Sequence, residues 1–230
     1  MEWLSGYLLR DYMRVADYLG KFWTGAEVMY GVIIAMTFTS MLRGVPFILQ
    51  GVLTNIVLAA LFCCIAWGIA DGLFYLWERN YIIRRENKTI ELSKRGEGKG
   101  PALSLIGEQL DDTILRNIPK ENRLPLYEKL VQFLSTVQER EKFSARGALT
   151  IVIGTFLLSA GAGLIVVAPF FLIDNVTQAL NVSNLCGIFL LFLVGYTRAF
   201  DRNLLSKIMM GFASSCIGIL ISAITVILGG

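Results

Sequence analysis

Five stretches of the chain are apolar enough and long enough to cross a lipid bilayer. An α-helix needs about 20 mostly apolar residues to span roughly 30 Å of hydrocarbon. We predict transmembrane spans at 26–48, 52–77, 148–173, 184–200 and 208–228. The pattern therefore predicts an all-α membrane protein with five transmembrane helices and a helical cytosolic insert between spans two and three.

Residues 1–25 precede the first span and have the periodicity of an amphipathic helix. Leu4, Leu8, Tyr12 and Val15 recur every three or four positions, and charged residues occupy the rest of the helical wheel. Acidic residues interrupt the segment, so we do not expect a secretory signal peptide. We expect the helix to lie at the membrane surface or on a cytosolic domain.

The long polar segment 78–147 separates spans one and two, within 26–77, from spans three to five, within 148–230. It holds 14 of the 21 Lys and Arg residues. The loop 174–183 has none, and the loop 198–207 has three. By the positive-inside rule, the N-terminus and the segment 78–147 are cytoplasmic and the C-terminus is outside.

The segment 78–147 also carries helical patterns of its own. Glycines at 96, 98 and 100 indicate a flexible connection, after which two apolar stripes follow. The stripes are Leu103, Ile106, Leu110, Ile114 and Leu115, and then Leu126, Leu130, Phe133, Leu134 and Val137. We predict a small helical hairpin whose core is small for an independent domain, which favours packing against a second subunit.

The amino-acid composition excludes several kinds of metal site and catalytic site. The chain is 55% hydrophobic and 17% charged, which is typical of a multi-pass membrane protein. The absence of histidine excludes imidazole metal ligands and histidine-based catalytic triads. The four cysteines lie in apolar segments and are interpreted as small buried hydrophobic residues. No catalytic or nucleotide-binding motif is present, so we predict neither an enzyme nor a nucleic-acid partner.

Asp71 is the one acid in an apolar run that is otherwise uncharged from Gly44 to Trp77. It lies roughly 9 Å from Trp77 along a helix, which places it inside the bilayer. Intramembrane acids usually face a bundle interior, a water-filled cavity or a partner. Asp71 is therefore a candidate cation or proton site. The alternative is a structural acid satisfied by hydroxyl groups, an interfacial arginine or water.

A second candidate site lies in the polar segment. Glu108, Asp111 and Asp112 are spaced i, i+3 and i+4, which places three carboxylates on one face of a helix. Divalent cations accept such oxygen ligands. The alternative interpretation is an ordinary solvated acidic face.

The layout resembles the vacuolar iron transporter family of divalent metal and proton exchangers. Both have an amphipathic N-terminus, two spans, a helical cytosolic insert and three further spans. The run 66–73, Ala-Trp-Gly-Ile-Ala-Asp-Gly-Leu, is similar to the end of that family's second span. Ala160-Gly161-Ala162 and Pro169-Phe170 are similar to its third span. The resemblance covers nearly the whole chain.

The resemblance implies a homodimer in the lipid bilayer that exchanges a divalent metal ion for protons. It places Asp71 on the transport path as a metal ligand, beside Trp67. Ile34 and Ala35 stand where the family has an Asp-Gly pair, and Trp67 stands where it has a methionine that binds ferrous iron. The resemblance implies no cofactor other than a divalent cation. The alternative function is a non-transporting membrane scaffold with a basic cytosolic domain.

Overall fold

The computed structural model describes residues 2–44, 50–95, 99–111 and 113–229, and this part of the chain is helical with no strand. The helices, in chain order, are α1 Glu2–Ser40, α2 Gln50–Arg95, α3 Lys99–Leu110, α4 Lys120–Leu134, α5 Ala145–Val167, α6 Pro169–Leu172, α7 Val176–Arg198 and α8 Leu204–Gly229. Short 3-10 helices follow α1 at Met41–Gly44 and precede α4 at Ile114–Asn117.

Five helical segments are long and apolar enough to cross a membrane. They are Phe22–Ser40, Gly51–Arg95, Ala145–Val167, Val176–Arg198 and Leu204–Ile221. The all-α class and the five membrane-spanning helices predicted from the sequence are therefore confirmed at this level. The side of the membrane on which each terminus and the segment 78–147 lie stays a prediction.

Several helix ends differ from the predicted ones. The second predicted span ends at 77, and its helix, α2, continues to Arg95, because polar and charged residues can extend a helix beyond the apolar run. α7 begins at Val176, eight residues before the predicted start at 184. The Asn175 side chain caps it by accepting a hydrogen bond from the Gln178 backbone N–H at 3.0 Å. α1 combines two helices that meet at Gly20, whose φ of 76° favours glycine.

The chain forms two compact units, and the first runs to Tyr75 and resumes at Ala145. α1 packs against α5 and α7, and α7 packs against α8. Its buried core is made of small and medium apolar side chains, which are Val32, Ala35, Met36, Val57, Ala60, Cys64, Ala162, Val166, Val167 and Leu191. Such residues allow helices to approach closely inside a membrane.

The second unit, Leu76–Ser144, has a smaller core. Ala102 and Ile106 of α3 pack with Tyr127 and Val131 of α4. The predicted stripe of α3 is partly confirmed, but Ile114 is 80% exposed. The buried face of α4 differs in part from the predicted one. Leu130 and Leu134 pack against the core as predicted, but the buried residues are Tyr127 and Val131, and Phe133 is 66% exposed.

The four cysteines are all free thiols. Cys64 is buried as predicted, and Cys63 and Cys186 are half-buried. Cys216 is exposed on α8, in contrast to the prediction.

Candidate functional site

Asp71 lies on α2 and meets a second acid that was not predicted as a site residue, Glu27 of α1. The Asp71 side chain lies next to that of Glu27 and to that of Trp67, which is one helical turn earlier on α2. A hydrogen bond between two carboxyl groups requires a proton, because ionised carboxylates only accept. The indole N–H of Trp67 can only donate. Asp71 thus lies beside one acid with which it can share a proton and one N–H donor.

Glu27 is the more deeply buried of the two acids. Only 3% of its surface is exposed, whereas Asp71 is partly exposed. The Oε2 atom of Glu27 is buried and has no hydrogen-bond partner in the described part of the chain. Because two ionised carboxylates only accept hydrogen bonds, the buried pair requires a proton, a water molecule or a cation to satisfy it.

Close contacts of α1 and α2 with α5 fix the positions of the two acids relative to each other. A Cβ atom added at Gly31 of α1 would lie 2.9 Å from the Ser159 carbonyl carbon of α5. One added at Gly68 of α2 would lie 2.8 Å from the Thr155 carbonyl oxygen, also of α5. Only glycine permits these backbone approaches without movement of a neighbouring helix.

Two hydrogen bonds between helices add to this packing. The Ser159 hydroxyl donates to the Cys64 carbonyl oxygen at 3.0 Å. The Cys64 thiol donates to the Gly31 carbonyl oxygen at 3.3 Å. They link α1, α2 and α5 within one helical turn of Trp67 and about one turn of Glu27.

Aromatic residues lie beside the acid pair. The Tyr30 and Trp67 rings meet edge to face with their centroids 6.3 Å apart. Trp67 is 46% exposed and Asp71 is partly exposed. Asp71 and Trp67 are thus more exposed than Glu27, which is the most buried of the three.

A second buried polar cluster lies towards the other end of α1. The Ser40 hydroxyl donates to the Asn184 Oδ1 atom at 3.5 Å, and both residues are buried. The Ser183 Oγ and Asn184 Nδ2 atoms are buried and have no partner in the described residues. Ser40 lies 13 residues after Glu27, which corresponds to about 20 Å along a helix.

The acids predicted on the polar segment are engaged by cations. Glu108 forms an ion pair with Arg85 at 3.1 Å, and Asp111 forms one with Arg123 at 2.6 Å. The Tyr127 hydroxyl also donates to Asp111 at 2.7 Å. That hydrogen bond and the nearby Arg123 guanidinium hold the pKa of Asp111 below its usual range.

Asp112, the third acid predicted there, lies outside the described residues. Among the residues that the structure describes, no three Cys, Asp or Glu side chains converge as a metal site. A metal site at Glu108, Asp111 and Asp112 stays a prediction.

Comparison with protein-family models finds no match to this chain, and comparison with curated protein sequences finds none either. The resemblance to the vacuolar iron transporter family therefore rests on the residues quoted above.

Glu27 could have been found from the sequence. It is the only charged residue between Phe22 and Leu42, which is the criterion that selected Asp71. Its place near the start of the first predicted span is typical of an interfacial residue. Its distance to Asp71 depends on how α1 and α2 pack, which hydropathy does not encode.

Proposed function

We propose that the chain is a membrane transporter that moves a divalent metal cation, of the iron or manganese type, in exchange for protons. One observation carries the proposal. The carboxyl groups of Glu27 and Asp71 face each other on two helices long and apolar enough to cross a membrane, and one oxygen of Glu27 is buried without a partner in the described residues.

Charge balance explains why such a pair suits exchange. Two ionised carboxylates carry two negative charges, which either one divalent cation or two protons neutralise. A charged side chain at the centre of a span costs about 2.5–3.5 kcal/mol on insertion scales. The pair is neutral, and avoids the free-energy cost of a buried charge, when it binds either the cation or the protons. Release of the cation therefore favours binding of protons, and release of protons favours binding of the cation.

The ligand chemistry favours a hard cation. Carboxylate oxygens suit Mn²⁺ and similar ions, whereas thioether sulfur suits softer ones. Trp67 places an N–H donor near Asp71 and offers no metal ligand. In the proposed cycle the cation first meets Asp71, which is partly exposed, and then binds both carboxylates, displacing the two protons that neutralise the pair, one from each carboxyl group.

The test is transport by the purified protein in liposomes. We expect Mn²⁺ uptake with proton movement in the opposite direction, measured with a metal-sensitive dye and a pH-sensitive dye. Glu27→Gln and Asp71→Asn keep size and hydrogen bonding but remove a titrating group. Each should reduce both signals to the level of empty liposomes.

Glu128→Gln is the matched control, because Glu128 is an exposed acid on α4 in the other unit. It should transport like the unchanged protein. Uptake that persists in Glu27→Gln and Asp71→Asn would remove the acid pair from the mechanism. Absence of uptake for every divalent cation by the folded, unchanged protein would contradict the proposed function itself.

The alternative function is a non-transporting membrane scaffold. It is favoured by the ion pairs of Glu108 and Asp111, which give these acids a structural role on the helical hairpin. A stoichiometric protein partner that copurifies, together with no metal-dependent change in thermal stability, would support it. The homodimer implied by the family resemblance stays a prediction under both functions.

A further inference from the structure

A cavity of about 450 Å³ lies where α7 ends and α8 begins. Its lining combines two arginines, an acid, a hydroxyl and two thioethers, which are Arg198, Arg202, Asp201, Ser206, Met209 and Met210. Both helices are long and apolar enough to cross the membrane, so the cavity lies at a membrane boundary. It is separate from the acid pair, since none of its lining residues belongs to that site.

Arg198 is fixed in place by uncharged partners. Its guanidinium carbon lies 3.9 Å from the centre of the Phe22 ring, and its NH1 group donates to the Met29 sulfur at 3.5 Å. These contacts orient the side chain but leave its positive charge uncompensated. Within the described ranges, neither Arg198 nor the exposed Arg202 has an ion-pair partner.

The start of α8 adds to the positive potential. Asn203 caps this helix, with its Oδ1 atom accepting from the Ser206 backbone N–H at 2.9 Å. The backbone N–H groups of Leu204 and Leu205 belong to the first helical turn, where no intrahelical acceptor exists. A 26-residue helix also carries partial positive charge at this end. Two guanidinium groups and this helix end suit a phosphate group.

The remaining lining residues indicate what carries the phosphate. Met209 and Met210 are 63% and 49% exposed and lie one turn further along α8, on the membrane-spanning segment. They offer apolar surface beside the polar end, as a lipid with an acyl chain requires. Asp201 places a negative charge in the same cavity, where it would repel a purely anionic headgroup and attract an ammonium group.

We propose that this cavity binds the headgroup of an aminophospholipid such as phosphatidylethanolamine. The phosphate lies against Arg198 and Arg202, the ammonium group against Asp201, and the acyl chains along Met209 and Met210. Basic pockets between membrane helices bind lipid headgroups by the same chemistry. The proposal does not depend on transport, because it concerns lipid binding alone.

The test is native mass spectrometry of the purified, delipidated protein titrated with phosphatidylethanolamine, phosphatidylglycerol or phosphoethanolamine. We expect one phosphatidylethanolamine to bind with an affinity about tenfold above that of phosphatidylglycerol. Arg202→Gln should weaken phosphatidylethanolamine binding about tenfold, since it removes a charge-assisted hydrogen bond. Asp201→Asn should bring the two lipids to similar affinities.

Arg146→Gln is the matched control, because Arg146 is an exposed arginine in the first turn of another membrane-spanning helix, α5. It should bind lipid like the unchanged protein. Unaltered phosphatidylethanolamine binding in Arg202→Gln would overturn the site. Equal affinities for the two lipids in the unchanged protein would overturn the role of Asp201. Displacement of the lipid by equimolar phosphoethanolamine would overturn the lipid assignment in favour of a soluble phosphate.

Discussion

At the scale of single residues, the molecule is defined by polar groups that are buried without full hydrogen bonding. Glu27 has one oxygen without a partner in the described residues, and the buried atoms Ser183 Oγ and Asn184 Nδ2 also lack one there. Each such atom costs free energy unless a group outside the protein chain satisfies it. The effect of each of these atoms on the free energy of unfolding therefore depends on whether it binds a proton, water or a ligand.

The first prediction concerns the coupling of Glu27 and Asp71. Asp71→Leu removes the partner of Glu27 and leaves a buried carboxyl group unpaired. It should lower the free energy of unfolding by about 1–3 kcal/mol. Adding Glu27→Leu to that variant should recover most of the loss, because two apolar side chains replace the polar pair.

Unfolding in mixed detergent micelles, followed by tryptophan fluorescence, measures both effects. A double variant that is less stable than Asp71→Leu alone would show that the two acids do not stabilise each other.

The second prediction concerns Asn184. Its bond from Ser40 is long, at 3.5 Å, and its Nδ2 atom lacks a partner in the described part of the chain. In a dry cluster, the double variant Ser40→Ala/Asn184→Leu should raise the free energy of unfolding by about 1 kcal/mol, because it removes an unsatisfied amide and leaves no hydroxyl without its acceptor. A thermal melt of the detergent-solubilised protein measures it. A loss of stability in the variant would mean that the cluster holds a bound water or ligand.

At the scale of helices, the close approaches of α1 and α2 to α5 decide where the acids lie. Gly31 and Gly68 meet backbone atoms of α5, whereas a methyl group added at Gly161, on α5 itself, would meet nothing within 4 Å in the described residues. The cost of replacing a glycine thus depends on its position in a helix pair more than on the residue type.

The third prediction compares these glycines. Gly31→Ala should lower the free energy of unfolding by about 1–3 kcal/mol, because the new methyl group must push α1 away from the Ser159 backbone. Gly161→Ala should be neutral or slightly stabilising, because alanine favours the helix and the space is open. Thermal unfolding of the two variants in one detergent measures the difference. Equal melting temperatures would contradict the observed helix contact.

The fourth prediction concerns Asp111 on the helical hairpin. Its pKa is lowered in the folded protein, so between the lowered and the ordinary value the unfolded chain binds more protons. The stability that Asp111 contributes is therefore present above the ordinary value of about 3.9 and lost as the pH falls through the folded pKa. Asp111→Asn should destabilise α3 and α4 at neutral pH but have little effect at a pH below the folded pKa.

Hydrogen exchange of these helices in the full-length protein, compared between variant and unchanged protein at each pH, measures the effect. A variant effect that is the same at both pH values would contradict the role of the Asp111 charge.

The sequence predicted some helices better than others, because different interactions determine where each helix begins and which face it buries. Hydropathy predicted the five spans because solvation in lipid dominates there. It misplaced the start of α7, where Gln178 and Asn181 resemble a loop but follow the Asn175 cap. It also misjudged the buried face of α4, where the hydrogen bond from Tyr127 to Asp111 accompanies the burial of Tyr127.

At the scale of the whole molecule, the two units are stabilised by different means. The first has a core of small apolar side chains and glycine contacts between membrane helices. The second has a core of four buried residues supplemented by ion pairs and by hydrogen bonds such as that from Asn87 to the Arg140 carbonyl oxygen at 2.9 Å. The cytosolic helical domain at 78–147, which the charge distribution of the sequence indicates, stays a prediction. The sequence could not predict that Glu27 meets Asp71, because that contact depends on three-dimensional packing.

The acid pair also has a consequence for how the protein is made. Asp71 follows Glu27 by 44 residues in the chain. At about 5–20 residues per second, synthesis reaches Asp71 about 2 to 9 s after Glu27. Ser159, against which Gly31 packs, is synthesised later still. The first span has the lowest mean hydropathy of the five, and it must begin its insertion with an unpaired acid. The final position of the first span in the membrane therefore depends on helices that are synthesised after it.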